Sequence, residues 1–94
     1  MASRAARRTE RKATATTLVS RTAFRVLAGI SEAELTLWER EEFIVPISRS
    51  DRDEVLYDTS ALRRARLIRT LTEELEVNLP GIEVILHLLD QLRR

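Results

Sequence analysis

The residues with the clearest chemical potential in this sequence are acidic side chains that lie close together in the middle of the chain. Residues 32–58 contain nine acids and three arginines, which gives this stretch a net charge of −6. The acids are Glu32, Glu34, Glu39, Glu41, Glu42, Asp51, Asp53, Glu54 and Asp58. Carboxylates at this density attract a cationic surface and repel phosphates. They indicate electrostatic recognition of a basic partner or, in the plainer alternative, a solvated protein surface.

A basic group follows the acidic stretch. Arg63, Arg66 and Arg69 recur every three residues, which brings them together on one side of a helix. Guanidinium groups in such a row bind phosphates, so these three are the candidate DNA-binding residues. They also form ion pairs with nearby carboxylates, and the preceding acidic stretch favours this second interpretation.

Catalysis and metal binding have no support in the residue types present. The chain has one histidine and no cysteine, so it offers no thiolate nucleophile and no set of soft metal ligands. His87 falls off the apolar stripe of its helix, and we expect an exposed imidazole. The sequence indicates no Ser-His-Asp set and no glycine-rich phosphate loop. We therefore predict no enzyme activity, no metal site and no cofactor.

Short helices must position these charges. Ser20 is placed to cap a first helix, Arg21–Ala28, and Gly29 to end that helix in the left-handed conformation. Ser31 then caps a second helix, in which Glu34 completes a capping box. The predicted apolar anchors of the two helices are Phe24, Val26, Leu27, Leu35, Trp38 and Phe43.

The second half of the chain is predicted to form a hairpin and two longer helices. Two short extended runs, Ile44–Ile47 and Val55–Tyr57, flank a charged turn in a pattern typical of a β-hairpin. A long helix follows at about Thr59–Glu74. Asn78 then caps a last helix, whose first turn tolerates Pro80 because the amides there lack helical partners.

The last helix has more apolar side chains than one buried face requires. Its predicted core stripe consists of Ile82, Ile85, Leu86, Leu89 and Leu92. Val84 and Leu88 widen that stripe, so they are candidates for a homodimer face. Its apolar run is far shorter than the roughly 20 residues of a membrane-spanning helix, and we predict no contact with a membrane.

The N-terminal residues differ in composition from the rest of the chain. The first twelve residues carry five basic side chains against Glu10, and large apolar side chains are almost absent from the first seventeen. Such a segment cannot bury enough surface to offset its ordering entropy. We predict a disordered basic tail at residues 1–17 and one domain at residues 18–94. The absence of cysteine fits a reducing compartment, and we expect a cytoplasmic location.

Several motifs give the chain a family resemblance. They are Gly29-Ile30-Ser31 at the turn, the run Trp38–Pro46, and Tyr57-Asp58 before an arginine-rich helix. Together they resemble the MerR-type winged helix-turn-helix superfamily. The segment Val77–Asp90, which reads VNLPGIEVILHLLD, is similar to two of its branches, the HspR-type heat-shock repressors and the CbpM-type chaperone modulators. Its Leu88-Leu89-Asp90 ending is more like the chaperone modulators.

The resemblance implies a fold and a function. The implied fold is mainly α-helical, a MerR-like winged helix-turn-helix of about four helices with a small β-hairpin wing. Chaperone modulators of this kind bind the J-domain of a DnaJ- or CbpA-like co-chaperone and inhibit it. J-domains present a basic helix, which suits an acidic surface. We expect the docking residues to be Glu34, Glu39, Glu41, Glu42, Asp51, Asp53 and Glu54, with Trp38 as an anchor at their edge.

Two other functions stay open at this point. The first is a DNA-binding transcriptional regulator of the MerR or HspR kind, in which Arg63, Arg66 and Arg69 contact phosphates. The second is an interaction module whose partner is unrelated to chaperones. The net charge of the second helix distinguishes a DNA-binding from a protein-binding role, because acidic side chains on a helix that enters the DNA groove oppose phosphate binding.

Overall fold

The computed structural model describes residues 17–93, with four helices and three short strands in that range. In chain order the elements are β1 (Val19–Ser20), α1 (Arg21–Ala28), α2 (Glu32–Arg40), β2 (Ser48–Arg49), β3 (Val55–Tyr57), α3 (Thr59–Glu73) and α4 (Leu79–Leu92). Helix, turn, helix, wing, helix, helix is the predicted order, so the winged helix-turn-helix fold is confirmed. The basic tail falls almost entirely on residues 1–16, outside the described residues.

The predicted caps hold the first two helices in place. The Ser20 hydroxyl accepts a hydrogen bond from the Ala23 amide, and Ser31 and Glu34 form the complete capping box of α2. Gly29 lies at φ 70°, and its amide donates to Arg25 O at 2.8 Å, which closes α1. A side chain at this φ would be strained, so glycine permits the tight turn into α2.

The wing belongs to a three-stranded antiparallel sheet with the order β1-β3-β2. Val19 pairs with Tyr57 in one ladder, and Ser48 pairs with Leu56 in the other. The hairpin was predicted, but the added strand β1 was not. A two-residue strand has no hydrophobic period, so only its ladder to β3 identifies it. This ladder ties the start of α1 to the wing.

The two longer helices begin at capped residues. The Asp58 carboxylate accepts from the Ala61 amide at 2.9 Å, and the Asn78 side chain accepts from the Gly81 amide at 2.9 Å. Helix α3 ends at Glu73, one residue before the predicted end. The cap prediction at Asn78 is confirmed.

One apolar core joins all these elements. Its buried members are Phe24, Ala28, Ile30, Leu35, Trp38, Phe43, Ile44, Tyr57, Ala61, Ala65, Ile68, Leu71, Ile82 and Leu86. Three predicted core positions are wrong: Val26 is 74% exposed, Leu27 is 48% exposed and Leu92 is 80% exposed. Val26 lies on the side of α1 away from Phe24, Leu27 lies at the edge of the buried face, and Leu92 lies in the last turn of α4.

Candidate protein-docking surface

Helix α2 uses two of its acidic side chains to hold the domain together. Arg21, at the start of α1, donates from Nε to Glu32 Oε1 at 2.8 Å and from Nη1 to Glu39 Oε1 at 2.7 Å. Arg25 adds a contact of 3.2 Å from its Nη1 to Glu32 Oε2. The hydrogen bond from Arg21 lowers the pKa of the Glu32 carboxyl below its usual range. Glu32 and Glu39 are therefore ion-paired within the domain.

Tyr57 extends this network into the core. Its ring stacks on Phe24 with the centroids 4.4 Å apart. Its hydroxyl accepts from Arg21 Nη1 at 2.7 Å and donates to Glu39 Oε2. Burial, followed by the hydrogen bond to Glu39, raises the pKa of Tyr57 to about 12. The Glu39 side chain is only 24% exposed, so a docking role for it would compete with these internal contacts.

Two further residues from the expected docking set also have structural roles. Glu34 Oε1 accepts from the Ser31 amide at 2.9 Å, as the capping box requires. Trp38 is 2% exposed and belongs to the core cluster together with Phe43. The expectation of a Trp38 anchor at the edge of the surface is therefore corrected, because its ring is covered by the domain itself.

The carboxylates at the C-terminal end of α2 face outward. Glu41 caps the helix, and Glu42 adopts a left-handed conformation at φ 62° that turns the chain back. The Phe43 amide then donates to Trp38 O at 2.8 Å. Both glutamate side chains are exposed, and neither has an ion-pair partner among residues 17–93. They line an open hollow of about 270 Å³ together with Glu83, His87 and Asp90 of α4.

Arg64 fixes this turn against α4. Its Nε donates to Phe43 O, and its two Nη atoms donate to the Asp90 carboxylate at 2.7 and 3.2 Å. The hydrogen bond lowers the pKa of Asp90 below its usual range. The charge of Arg64 is offset by Asp90, with which it pairs, and Arg64 forms no ion pair with Glu41 or Glu42.

The wing presents mixed charges. Arg49 Nη1 lies 3.3 Å from Asp53 Oδ1 and donates to Asp53 O at 3.0 Å. Asp51, Arg52 and Glu54 are exposed. Two arginines and three acids leave the turn at residues 49–54 with a net charge of −1. The wing is therefore only weakly acidic, and the outward charge is concentrated at the end of α2.

The arginines of α3 do not pair with the acidic stretch, contrary to the favoured expectation. Arg66 Nη2 donates to Leu27 O at 3.1 Å, and Arg69 Nε lies 2.8 Å from Glu73 Oε2 on the same helix. Arg63 is exposed and has no ion-pair partner in the described part of the chain. All three lie on α3, away from the outward acids of α2.

Helix α4 carries an uncovered apolar stripe. Val84 is 58% exposed and Leu88 is 52% exposed, and Leu92 continues the row at the next spacing of four. His87 is exposed, as predicted, with its Nε2 3.0 Å from the Gln91 side-chain nitrogen.

The described residues offer neither a metal site nor a membrane-spanning helix. Within residues 17–93, no group of three or more histidine, cysteine, aspartate or glutamate side chains could hold a metal ion. No helix in that range is long and apolar enough to span a membrane.

Three residues of the site escaped the sequence analysis. Arg21, Tyr57 and Arg64 contact partners that lie 18 to 36 residues away in sequence, and periodicity carries no information on such pairs. One signal was available for Arg21. A cation in the first turn opposes the helix dipole, so its presence there indicates a compensating acidic partner.

Comparison with known proteins agrees with the architecture. The family model described as MerR HTH family regulatory protein matches residues 19–94. No curated protein sequence matches the chain.

Proposed function

This chain belongs to the MerR helix-turn-helix family of regulatory proteins, and from that premise we propose that it modulates a DnaJ- or CbpA-like co-chaperone by binding its J-domain. The proposal follows the resemblance of Val77–Asp90 to the CbpM-type chaperone modulators. Inhibition of the co-chaperone is the effect which that resemblance implies. The protein acts in this proposal by binding, without enzyme chemistry, and the location is the cytoplasm.

One observation carries the proposal. The outward side chains at the C-terminal end of α2 are Glu41 and Glu42, and the hollow beside them is also lined by Glu83 and by the Arg64–Asp90 ion pair. In a helix-turn-helix protein the second helix enters the major groove, where phosphates flank it. Exposed carboxylates at the C-terminal end of that helix add negative charge near the phosphates, which opposes DNA binding and favours a basic protein surface. A basic helix of a J-domain has the complementary charge.

The proposed docking set is smaller than the set expected from the sequence. Glu41 and Glu42 are the outward acids, with Asp51 and Glu54 of the wing as weaker contributors. Glu39 and Trp38 support the domain from inside, and Glu34 is shared with the capping box. Asp53 is partly neutralised by Arg49.

A side-by-side binding measurement tests the proposal. Purified protein is titrated with an isolated J-domain and with duplex DNA, each at two salt concentrations. We expect J-domain binding that weakens as salt rises, because exposed charges are screened. The double variant Glu41→Lys/Glu42→Lys should lower the affinity at least a hundredfold, or about 3 kcal/mol. Failure of the wild-type protein to bind the J-domain would contradict the proposal.

A matched control exists at the end of α3. Glu74 and Glu76 are exposed; Glu74 is the C-cap residue of α3, and Glu76, two residues later, has a positive φ. Glu74→Lys/Glu76→Lys makes the same charge change at the exposed end of another helix. It should leave J-domain affinity within about twofold, since it lies away from the α2 end.

The second candidate function is DNA-binding transcriptional regulation of the MerR or HspR kind. The family description favours it, and Arg63 and Arg66 on α3 would supply phosphate contacts. Tight, sequence-selective DNA binding without J-domain affinity would establish it in place of the first. Binding to neither probe would favour the third candidate, an interaction module with an unrelated partner.

We also propose a homodimer through α4. Val84 and Leu88 form an uncovered apolar row that a second copy would bury. Sedimentation equilibrium should show a dimer that Leu88→Asp dissociates. A wild-type monomer at high micromolar concentration would exclude this interface.

A further inference from the structure

A second concave surface lies on the side of α3 that faces α1. It is an open groove of about 740 Å³ between the C-terminal turn of α1 and the outer side of α3. It is lined by Val26, Leu27, Ala28, Gly29, Arg66, Arg69, Thr70, Glu73 and Glu74. We call it the α1–α3 groove. None of its residues belongs to the outward acids of α2, so it is independent of the proposed J-domain contact.

The wall of the α1–α3 groove that α1 supplies is apolar and uncovered. Val26 and Leu27 are the two residues of α1 that the sequence predicted to be buried and that the structure leaves exposed. Exposed apolar side chains at a concave site are typical of a protein contact, because burial there removes apolar surface from water.

The opposite wall presents guanidinium groups with donors to spare. Arg66 Nη2 uses one N–H for Leu27 O, at 3.1 Å, which holds the side chain along the groove. A guanidinium has five N–H donors, so Arg66 retains enough to bind a carboxylate with two hydrogen bonds. Arg69 lies over Gly29, where a Cβ atom would come within 3.0 Å of its Nη1, and its Nε pairs with Glu73.

The charges of the groove differ between its two ends. Arg66 gives the first end a cation without an acidic partner in the described part of the chain. At the second end Glu73 is neutralised by Arg69, and Glu74 is exposed. An occupant with a carboxylate at the first end would match this layout.

We propose that the α1–α3 groove binds a short acidic amphipathic helix of a partner protein. The apolar residues of that helix pack on Val26 and Leu27, and its carboxylate reaches Arg66. Arg66 and Glu73 are seven residues apart, about 10 Å along α3, so the contact spans about two helical turns of the occupant. Duplex DNA is a poorer occupant, because the apolar side chains of Val26 and Leu27 form no hydrogen bonds with phosphates.

The test uses synthetic helical peptides as probes. A panel of fourteen-residue peptides carries leucines at i, i+3 and i+7 with glutamates beside them, and a matched panel carries lysines in place of the glutamates. Each is titrated into ¹⁵N-labelled full-length protein. We expect the acidic peptides to shift amides of residues 26–29 and 66–74, and the basic peptides to leave these amides unchanged.

Substitutions make the test specific. Arg66→Glu should weaken acidic-peptide binding at least tenfold, and so should Val26→Ser, whose exposed position spares the fold. Arg52→Glu, the same charge change at the exposed wing tip, should leave this binding unaltered.

The proposal is overturned if no acidic peptide binds, if Arg66→Glu and Arg52→Glu weaken binding equally, or if random duplex DNA shifts the same amides and binds more tightly than the peptides. Glu41→Lys/Glu42→Lys must leave peptide binding intact, which separates this test from that of the proposed function.

Discussion

Glu39 and Glu42 lie three residues apart, carry the same charge and have opposite environments. The Glu39 carboxylate faces α1 and β3, where it meets the Arg21 guanidinium and the Tyr57 hydroxyl. Glu42 lies beyond the end of α2, where its backbone is left-handed and its side chain is exposed. One helix therefore has an inner acidic edge that joins it to the domain and an outer acidic end that is open to a partner.

This difference shows why net charge alone does not locate a binding surface. Of the five glutamates in residues 32–42, Glu32 and Glu39 are compensated by arginines within the fold, and Glu34 serves a cap. Compensated charges contribute little to a long-range field, whereas uncompensated ones steer an encounter. The proposed docking role therefore falls on Glu41 and Glu42.

Among the tests of the inner edge, titration of Tyr57 has the largest expected effect. It is the only tyrosine, so absorbance at 295 nm reports its ionisation directly. In the folded protein we expect a midpoint near 12, against about 10 for an unperturbed tyrosine. Because the folded pKa is the higher one, the stabilisation is complete below pH 10 and is lost as pH rises towards 12. The loss should reach about 3 kcal/mol of unfolding free energy.

A matched variant checks the cause of this pH dependence. Tyr57→Phe keeps the ring that stacks on Phe24 but removes the ionising hydroxyl. Its unfolding free energy should change much less between pH 10 and 12 than that of the wild-type protein. A wild-type midpoint close to 10 would mean that the hydroxyl is not held by Glu39 and that the inner edge is open to solvent.

Arg21→Ala tests the same edge from its cationic side. The substitution leaves the partly buried Glu39 carboxylate without its ion-pair partner, and we expect a loss of about 2 kcal/mol in urea unfolding. The loss is smaller than that of a fully buried pair because water reaches part of the Glu39 side chain. Arg40→Ala removes an exposed arginine from the same region and should change stability by less than about 0.5 kcal/mol. If Arg21→Ala and Arg40→Ala destabilised the protein equally, the inner acidic edge would contribute no more to stability than an exposed arginine does.

The sequence predicted well where the helices that carry the site begin, because helix caps are local signals. Ser20, Gly29, Ser31 and Asn78 act within a few residues of themselves, and the helix ends that they mark agree with the structure, whereas α2, whose predicted anchors include Phe43, ends at Arg40. Which side of a helix is buried is less local. Val26 was predicted to be buried from its apolar character, yet the neighbours of α1 cover the Phe24 side instead.

The sequence could not predict which acidic side chains are ion-paired within the fold and which are exposed, for a related reason. Whether a glutamate is compensated depends on arginines that folding brings near it, and Arg21 lies 18 residues before Glu39. The net negative charge of residues 32–58 follows from the sequence, but the assignment of each carboxylate to an inner or an outer position required the tertiary structure.

Arg64→Ala tests how the outer end is held in position. The variant removes the hydrogen bond to Phe43 O and the paired contact with Asp90, so we expect a loss of about 1–2 kcal/mol of stability. It should also weaken J-domain binding several-fold, because the turn that carries Glu42 loses its attachment to α4. Arg63→Ala, one residue earlier and exposed, should change neither quantity measurably. Unaltered J-domain binding in Arg64→Ala would show that the turn is held by α2 alone.

Glu42→Gly has the smallest expected effect on stability and separates the two regions most cleanly. A left-handed residue with a Cβ atom carries strain of about 1–2 kcal/mol, and glycine relieves it at an entropic cost of about 0.5–1 kcal/mol. We expect a net gain of about 0.5 kcal/mol in urea unfolding together with weaker J-domain binding, because a charge is lost from the outer end. Glu76→Gly, at φ 52°, relieves the same strain away from that end and should stabilise without changing affinity. If both variants weakened binding equally, backbone rigidity rather than the Glu42 carboxylate would govern recognition, and the outer acids would be no more than a solvated surface.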